Sequence, residues 1–563
     1  MGDYVQREEL NTVLPFLPVN LREFLYYAKE ESLVPNFIEC YGVVMSVQVS
    51  GYDNIKNEIE SIEKDNWEIF SKTLNSYYSE LCKTIKKYNG DIVRFSVDKI
   101  IIIWSIDSQQ ELECDTPEDF ENVKAYSILR ACQCALDMLR ELNNYPIKIP
   151  DYDKPIEETF LLKFAIGSGT LYHLFLGGPP DKWNYSITGN SLSKLEKIFD
   201  LAKPGQLAIT YNAMKTLSRF VHVTQLNIVD HIKGTVILEN NEVNIVRLYD
   251  KYISEDDLCI DVTVENDESN PSIDLAKVSR NVFDKWKHFV HENVIYKINH
   301  DLKIDQFSEW RRITTLLVKV SNVVISSPSD FSMAQEIINA IYRSLINQEG
   351  IIRHIDFDEN GIIIVIDFGL PPYSHDNDAQ IGIDVAFEII NNTKRITENI
   401  RIAISTGDGW IGTMGSEKNM EYVVYGNLNK ITNGIVMKAR NGTIICDEET
   451  CKLTKENVTY EERGSITIKT SDLPIKLFSP VGSSYNKLDV KDKKNHESLD
   501  IELIGRQKEI EKLHNIIKNY NEINNGQLII IEGVEGHGTS LLAKHMMNEA
   551  YSNTNQSFKI LLF

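Results

Sequence analysis

The sequence predicts an α+β protein that contains two copies of one βαββαβ unit. Three observations support this prediction. Short apolar runs of strand length alternate with stretches of helical periodicity. Neighbouring strand patterns meet at short turns, which is typical of hairpins. The order strand, helix, hairpin, helix, strand, hairpin occurs twice, in residues 35–225 and again in residues 311–485.

The first copy begins with the strand pattern YGVVMSVQVSGYD, and a stretch of helical periodicity follows it. The segment GDIVRFSVDKIIIIW then predicts a hairpin with its turn near Asp98. A second helical stretch, the strand pattern FLLKFAIGSG and the hairpin pattern WNYSITGN complete the copy.

The second copy repeats this order. ITTLLVKVSNVVI is the strand pattern, MAQEIINAIYRSLINQEG the helical one and GIIRHIDFDENGIIIVIDFG the hairpin. A helical stretch, the strand IRIAISTGDGWIG and the segment MEYVVYGN follow. A βαββαβ unit of this kind folds as a ferredoxin-like domain with an antiparallel sheet. We therefore expect two such domains in tandem.

The remaining segments differ from the two copies in composition. Residues 1–34 form an N-terminal segment, and residues 226–310 form a linker that contains a charged loop and a helical stretch. Residues 486–499 are polar and rich in lysine, as expected of a second linker. Residues 500–563 begin a further unit, and the chain ends on what reads as its next strand, so we expect this unit to be truncated.

The last unit carries a phosphate-loop pattern in outline. The strand QLIIIEG leads into GVEGHGTS and then into a helical stretch. Gly533, Gly538 and Ser540 match the Walker A pattern, whereas Thr539 stands where that pattern has lysine. The sequence predicts the beginning of a P-loop-like α/β ATPase module with weak hydrolytic prospects, and the alternative is a simple glycine-rich turn between strand and helix.

Composition and charge exclude several classes of function. Asp and Glu total 82 against 59 Lys and Arg, a net charge of −23, which argues against nonspecific binding of nucleic acid or of an anionic membrane. The eight cysteines lack zinc-ligand spacing, so we expect reduced thiols. The N-terminus does not resemble a signal peptide, and no apolar run has transmembrane length. We expect a cytoplasmic protein.

The two copies resemble class III nucleotidyl cyclase domains through GDIVRFSVD in the first and EYVVYGN in the second. The joining stretch FSEWRRITTLLVKVSN and the later LIGRQKEIEKL are similar to segments of the soluble, bicarbonate-responsive adenylyl cyclases. The resemblance follows nearly the whole chain in order. It implies an internal pseudo-dimer of two cyclase homology domains that acts in cyclic nucleotide signalling and forms cyclic AMP and pyrophosphate from ATP at a shared site.

The resemblance also implies where metal ions and nucleotide are expected to bind. Two magnesium or manganese ions suit such a displacement, and the family holds them with two carboxylates of the first domain. One position falls on Asp98, but the other falls on Gln48, whose neutral amide cannot bridge two cations. The turn after it is expected to offer backbone N–H groups to phosphate and comprises Val49, Ser50, Gly51 and Tyr52.

The second domain is expected to supply the remaining groups. The adenine-reading positions of the family fall on His354 and Val423, and the latter has no polar atom in its side chain. The positions of the ribose-orienting Asn and the transition-state Arg fall on Lys430 and Gly434.

A shift of that alignment by one residue places Asn429 and Asn433 at these two positions, so neither alignment restores the arginine.

The pseudo-symmetric second site shows substitutions as well. Its first metal position falls on Lys319, and its second falls on Asp358 or Glu359. The family's bicarbonate site uses a Lys and an Arg, and the corresponding residues are Arg94 and Glu196, with Lys197 beside the latter. A glutamate in an anion site makes bicarbonate binding doubtful.

These substitutions predict a catalytically impaired pseudo-cyclase with a regulatory or scaffolding role, because the metal, base-reading and transition-state positions are all changed. One alternative is an active adenylyl cyclase with an altered site. The other is an interaction scaffold that binds no nucleotide. Weak binding of Mg²⁺ or Mn²⁺, binding of ATP and binding of protein partners are compatible with the first prediction.

Overall fold

The computed structural model places most of the chain in one compact unit, Met1–Ser484, and the rest in a second, Tyr485–Phe563. The described residues are 4–28, 35–52, 54–56, 58, 67–96, 99–106, 114, 116–145, 158–178, 182–193, 195–199, 202–217, 221–223, 227–230, 235–239, 245–248, 273–300, 308–346, 348–467, 474–483, 510–512 and 542. The phosphate-loop prediction at residues 533–540 lies outside them. All helices and strands named below belong to the first unit.

An N-terminal helical segment precedes the first domain and consists of α1 (Arg7–Val13), a 3₁₀ turn (Leu14–Phe16) and α2 (Val19–Tyr27).

The first domain is built on one large sheet. Its elements, with a small additional sheet, are β1 (Asn36–Ser50), α3 (Trp67–Lys87), β2 (Asp91–Phe95), β3 (Lys99–Ile106), α4 (Pro117–Glu141), β4 (Leu161–Gly178), β5 (Lys182–Thr188), α5 (Asn190–Ser193), α6 (Leu195–Phe199), β6 (Gln206–Thr210), α7 (Tyr211–Leu217), β7 (Val221–Val223), β8 (Asn227–Asp230), β9 (Thr235–Glu239) and β10 (Ile245–Leu248). The strand order is β2-β3-β1-β4-β6-β9-β8, with β5 paired to β4 and with β7 paired to β10 apart from it.

A helical linker and the second domain follow. Their elements are a 3₁₀ turn (Leu275–Lys277), α8 (Arg280–Lys287), α9 (Glu292–Asn299), β11 (Glu309–Ser321), α10 (Pro328–Leu345), β12 (Ile351–Asp358), β13 (Gly361–Phe368), α11 (Asp378–Thr393), β14 (Ile400–Ser416), β15 (Asn419–Tyr425), α12 (Leu428–Lys438), β16 (Ile444–Asp447), α13 (Glu448–Thr454), β17 (Val458–Ile466) and β18 (Ile475–Ser483). The strand order is β12-β13-β11-β14-β16-β18-β17, with β15 paired to β14.

The α+β class and the hairpins β2–β3 and β12–β13 are confirmed, and one detail of the prediction is wrong. The sheets are not purely antiparallel, since β6 pairs with β4 and β16 pairs with β14 in parallel. The first sheet also continues through β8 and β9 to Glu239, past the predicted boundary at residue 225. Short strands after the last helix add to the sheet edge because their backbone groups need partners.

Two long strands connect the domains by burying their ends in the opposite core. The C-terminal part of β4 contributes Leu174 and Leu176 to the main core of the second domain. The corresponding part of β14 contributes Trp410 and Met414 to the main core of the first domain. At the end of β4, the Gln335 side chain donates to the Gly177 carbonyl oxygen at 2.6 Å. These reciprocal contacts fix the two sheets against each other.

The N-terminal and linker helices form a third core that spans both domains. Leu21 and Trp286 from these helices are buried in one cluster with Phe175 of the first domain and Tyr422 of the second. Within the described residues, no helix combines the length and the apolarity needed to cross a bilayer. The seven described cysteines are free thiols.

The carboxylate of Asp91 attaches α2 to the first domain. It accepts hydrogen bonds from the backbone N–H groups of Val19 at 2.8 Å and Asn20 at 3.0 Å, and from the Asn20 side chain at 2.9 Å. The first N–H groups of a helix have no partner within it, so a carboxylate from another element can satisfy them. Asp91 is buried, and burial raises its pKa.

We expect Asp91→Ala to lower the stability of the protein by about 1–2 kcal/mol, the range found for loss of a helix cap. The substitution leaves two backbone N–H groups of α2 without their acceptor. Thermal unfolding measures the loss, and limited proteolysis reports release of the N-terminal helices. Asp376→Ala, which removes an exposed carboxylate, is the control. Equal stability of the two variants would contradict the capping role.

Candidate functional site

A cavity of about 240 Å³ lies between the β2–β3 hairpin of the first domain and strands β12, β13 and β15 of the second. We call it the interdomain cleft. The two domains place several predicted site residues on its walls, namely Arg94, His354, Asp358, Glu359, Val423 and Asn429. The structure therefore brings the predicted bicarbonate position and the predicted base-reading positions into one cavity.

Arg94 is held by two carboxylates of the second domain. Its Nη1 lies 2.9 Å from Oε1 of Glu421, and its Nη2 lies 2.8 Å from Oδ1 of Asp356. The second oxygen of Glu421 accepts the backbone N–H of Phe95 at 2.5 Å. We call Arg94, Asp356 and Glu421 the interdomain latch. Since its one cation meets two anions, Arg94 has no net positive charge left to offer an external anion.

The surroundings shift the pKa values of the three latch residues in different directions. Burial alone disfavours the charged form of Arg94, but the two carboxylates outweigh it and raise its pKa. Burial likewise opposes the charge of Asp356, and Arg94 with its neighbours overcomes it, so that the pKa of Asp356 is lowered. For Glu421 burial dominates, and its pKa is raised. The rest of the predicted bicarbonate site, the side chains of Glu196 and Lys197, lies outside the described side chains.

The predicted base-reading positions offer little to a purine. Nε2 of His354 lies 3.4 Å from Oδ2 of Asp356, and burial lowers the pKa of His354 to about 3, so the imidazole is neutral at physiological pH. Val423 is 5% exposed and packs in the core cluster of the first domain. A neutral ring and an aliphatic side chain replace the polar pair that the resemblance implies.

The helix α12 presents Asn429 to the cleft. The Asn429 side-chain oxygen accepts from Nη2 of Arg353 at 2.8 Å, and its amide donates to the Val424 carbonyl oxygen at 3.2 Å. Lys430 is exposed, and Gly434 lies within the helix, away from the residues that line the cleft. Of the two alignments that the sequence leaves open, the one through Asn429 corresponds to the residue on the cleft wall.

The first metal position lies between two lysines. Gln48 on β1 is paired in register with Lys99 on β3 and with Lys163 on β4. Residues directly opposite each other in antiparallel strands share one face of the sheet, so the amide stands between two ammonium-bearing side chains. Asp98, the second predicted metal ligand, lies outside the described residues. The described donor set does not fit a divalent cation, which prefers carboxylate oxygens.

The metal position of the pseudo-symmetric site holds an ion pair instead. Nζ of Lys319 lies 2.5 Å from Oδ2 of Asp358, and each side chain is 9% exposed. Arg401 is paired in register with Lys319 on the neighbouring strand. An ammonium group in this position repels a magnesium ion and supplies the carboxylate with a tethered cation. Across the described residues, no group of three or more His, Cys, Asp and Glu has the spacing to hold a metal.

The residues of the predicted phosphate-binding turn make structural contacts within the first domain. Val49 and Ser50 are paired with β4, and Ile55 N–H bonds to the Gly51 carbonyl oxygen at 3.0 Å in the first turn of a helix. Gly51 has φ +105°, and a Cβ there would lie 2.6 Å from the Thr159 carbonyl oxygen. The Tyr52 side chain is buried in the core.

Sequence reasoning missed the carboxylates that pair with the arginines in and beside the cleft. Asp367 lies on the buried strand β13, where it accepts from Oγ1 of Thr315 at 2.7 Å and pairs with Nε of Arg353 at 3.0 Å. A single acidic residue within the apolar run GIIIVIDF was the available signal, since a buried carboxylate requires a partner. Asp356 and Glu421 offered the same weak signal on their own strands.

A larger cavity, of about 420 Å³, adjoins the latch on its other side. The N-terminal segment and the linker helices line it together with both domains. Lys182 and Glu292 form an ion pair of 2.6 Å at its wall. The sequence did not predict it, because its walls come from four segments far apart along the chain.

Part of the second domain and nearly the whole chain are similar to known proteins. Residues 327–479 match the model of the adenylate and guanylate cyclase catalytic domain. The chain is distantly related to adenylate cyclase type 10. It is 18% identical to the rabbit protein (Oryctolagus cuniculus) over 589 residues, which is 99% of this chain and 34% of the relative. The identity to the human protein (Homo sapiens) is 19% over 525 residues, or 89% and 30%. The chain thus spans about a third of the length of these relatives.

Solved structures of cyclase domains are also similar. A class III adenylyl cyclase-like ATP-binding protein from Pseudomonas aeruginosa aligns with 80% of this chain and 94% of its own, at 10% identity and a TM-score of 0.46. The adenylyl cyclase CyaB from P. aeruginosa aligns with 31% of this chain and 96% of its own, at 17% identity and a TM-score of 0.29.

We expect Arg94→Met to destabilise the protein by about 2 kcal/mol, since it leaves two partly buried carboxylates without their charged donor. The control is Arg463→Met, which breaks a pair of 2.7 Å with Glu461 whose side chains are about half exposed. Surface pairs of that kind contribute about 0–1 kcal/mol. Thermal unfolding compares the two variants, and an equal loss in both would contradict a structural role of the latch.

We expect the stability of the protein to fall as the pH falls below 6.5. Burial lowers the pKa of His354 and His291 to about 3 and that of His173 to about 4, from 6.5. Below 6.5 the unfolded chain binds protons that the folded chain does not, so acid favours unfolding. His354→Gln is expected to reduce the difference in Tm between about pH 7 and about pH 5. The exposed His300→Gln is the control, and an unchanged difference in the first variant would refute the assignment.

Proposed function

We propose that this chain is a soluble adenylyl cyclase-like protein of cyclic nucleotide signalling whose paired cyclase-like domains act as a regulatory or scaffolding pseudo-cyclase. The two domains are assigned to an internal pseudo-dimer, with the cleft between them in the place of the cyclase site. The match of residues 327–479 to the cyclase catalytic domain and the distant relation to adenylate cyclase type 10 support the family assignment.

The observation that carries the proposal is that cationic side chains in and beside the cleft pair with carboxylates of the protein itself. Arg94 pairs with two carboxylates of the other domain, Lys319 pairs with Asp358, and Arg353 pairs with Asp367. A cyclase site needs unpaired cationic groups and a metal pair to receive a triphosphate and to stabilise the charge that develops on it. In this chain these three cationic side chains are paired with carboxylates, and the pairs of Arg94 join the two domains.

The substitutions at the predicted catalytic positions also argue against cyclase activity. Removal of one preorganised donor typically costs ~10²–10³ in rate, and the loss of a metal site is at least as severe. Gln48, Val423 and Gly434 replace three different parts of the machinery. Effects of residues that act as a unit do not add simply, but each of these losses alone is large.

An active cyclase with an altered site is the second candidate, because Asp98 retains one metal-ligand position. Formation of cyclic AMP separates the two candidates. We expect the purified chain to remain at background with Mg²⁺ or Mn²⁺, with and without bicarbonate. Bicarbonate-stimulated turnover that Asp98→Ala abolishes would overturn the proposal. Thermal shifts with ATP then separate a nucleotide-binding pseudo-cyclase, which is stabilised, from a scaffold that binds no nucleotide.

We expect Gln48→Asp alone to stay at background in the same assay. A carboxylate placed between Lys99 and Lys163 pairs with their ammonium groups rather than with a metal ion. The triple variant Gln48→Asp, Lys430→Asn, Gly434→Arg restores three positions of the first alignment, and measurable turnover in it would assign the family's functional positions to residues 430 and 434. Gly434 lies inside α12 with a helical backbone conformation that any residue adopts. An arginine at this position therefore causes no backbone strain.

A double variant tests the other alignment of α12. In that alignment Asn429, which lies on the cleft wall, already holds the ribose-orienting position, so only Gln48→Asp and Asn433→Arg are needed. Recovery in this double variant and not in the triple variant would assign the transition-state position to residue 433. Strong activity of Gln48→Asp by itself would contradict the account of the lysine pair.

A further inference from the structure

The larger cavity, of about 420 Å³, is lined by half-buried aromatic rings from the four segments that surround it. Phe16 comes from the N-terminal segment and Trp183 from β5 of the first domain. Phe289 and Tyr296 come from the linker, and Tyr373 follows β13 in the second domain. Cavities of this size with aromatic walls are typical of sites that hold small organic molecules.

Contacts between these segments hold the aromatic wall in place. The Trp183 ring packs edge-on against Phe289, with 5.4 Å between the ring centres, and its backbone N–H donates to the His288 carbonyl oxygen at 3.2 Å. The neighbouring Asn184 donates from its side-chain amide to the Tyr342 hydroxyl at 2.6 Å. The wall is therefore preorganised, which lowers the entropic cost of binding a ligand.

The charged side chains that line the larger cavity are paired within the protein. Lys182 pairs with Glu292 at 2.6 Å, and Lys287 pairs with Asp284 at 3.2 Å. The other Lys, Arg, Asp and Glu side chains among the described residues of the wall belong to ion pairs already described, namely Arg94, Arg353 and Glu421. A charged ligand would lose its hydration without gaining an unpaired counter-charge. The cavity therefore favours a molecule with no net charge.

Two neutral hydrogen-bonding groups remain on the wall. Within the described part of the chain, the hydroxyls of Tyr296 and Tyr373 have no hydrogen-bond partner, although both side chains are half-buried. By contrast, the hydroxyl of Tyr185 bonds to Nδ1 of His173 at 2.6 Å. A phenol hydroxyl both donates and accepts hydrogen bonds, so a ligand with a polar edge satisfies these two groups.

We propose that the larger cavity is a binding site for a neutral heteroaromatic molecule that carries a hydrogen-bonding edge, such as an amide. The ring of the ligand packs against Trp183 and Phe289, and its polar edge bonds to the hydroxyls of Tyr296 and Tyr373. The site differs from the nucleotide position of the cyclase resemblance, because His354 and Val423 line the interdomain cleft and not this cavity.

The larger cavity shares a wall with the interdomain cleft. Arg94, Arg353 and Glu421 line both of them. A molecule in the larger cavity is thus bound beside the latch, between the two domains, the linker and the N-terminal segment. Since it binds these four segments only when they are assembled, its binding stabilises their association by mass action. The ligand therefore strengthens the contact between the domains.

The test uses one aromatic scaffold in three charge states. At about pH 7, indole-3-acetamide is neutral, indole-3-acetate is an anion and tryptamine is a cation. Each compound is titrated into the full chain, and binding is measured by ligand-observed NMR. We expect the amide to bind at least about tenfold more tightly than either ion, because the ions find no unpaired counter-charge. An ion that binds as tightly as the amide would contradict a site for neutral molecules.

Two tyrosine variants test the polar contacts. Tyr296→Phe and Tyr373→Phe keep the rings and remove the hydroxyls, and each is expected to weaken binding of the amide about threefold to tenfold. Tyr211→Phe removes an exposed hydroxyl on α7, outside the cavity, and is the matched control. Equal affinity in all three variants would overturn the assignment of the hydroxyls.

Two further variants test the position of the ring. Trp183→Ala is expected to weaken binding about tenfold, whereas Trp310→Ala, which removes a partly exposed ring on β11, is expected to change it little. Leu192→Ala alters the wall of the interdomain cleft alone. Loss of binding in Leu192→Ala, with full binding in Trp183→Ala, would place the compound in the cleft and overturn the proposal.

Thermal unfolding measures the effect on the assembly. Indole-3-acetamide is expected to raise the Tm of the unmodified chain and to raise that of Tyr373→Phe less. Absence of binding by the amide would overturn the site and leave the pseudo-cyclase intact. Cyclic AMP formation by the unmodified chain would overturn the pseudo-cyclase and leave this site intact, so the two proposals fail separately.

Discussion

The charge balance of the interdomain cleft depends on the ion pairs of Arg94 with Asp356 and Glu421. The two carboxylates come from different strands of the second domain, and the arginine comes from an edge strand of the first. Removal of Arg94 leaves both carboxylates in a partly buried place without their cation, whereas removal of one carboxylate leaves the arginine paired with the other. The helical segments that cover both domains then hold the geometry in which this latch forms.

The same principle operates at the two metal positions. In the second domain Lys319 neutralises Asp358 within the protein, and in the first domain two lysines flank a neutral amide. A related cyclase needs anionic side chains around its metal ions, whereas this chain has cationic side chains at the corresponding positions. The sheets that position these groups still have the order expected of the resemblance. Under the proposed function, scaffold and chemistry have diverged separately, as is common when one fold supports different functions.

Periodicity and turn patterns predicted the elements of both domains, because strand and helix periods depend on local sequence. They did not predict the parallel pairing of β4 with β6, since the partner of a strand is chosen by tertiary structure. The Gln48, His354 and Val423 positions followed from the resemblance, but Asp91 as the cap of α2 did not. Its function depends on a contact over 71 residues of chain. For the same reason the carboxylates Asp356 and Glu421 were recognisable only once the two domains were placed together.

Under the proposed function, cations of the protein replace the metal ions of the cyclase site. Electron paramagnetic resonance of Mn²⁺ titrated into the chain, with and without a non-hydrolysable ATP analogue, measures this most directly. The account predicts that Mn²⁺ remains free in solution or bound to the nucleotide alone, with no signal from a site on the protein. Two Mn²⁺ ions bound per chain in the presence of the analogue, and lost in Asp98→Ala, would contradict it.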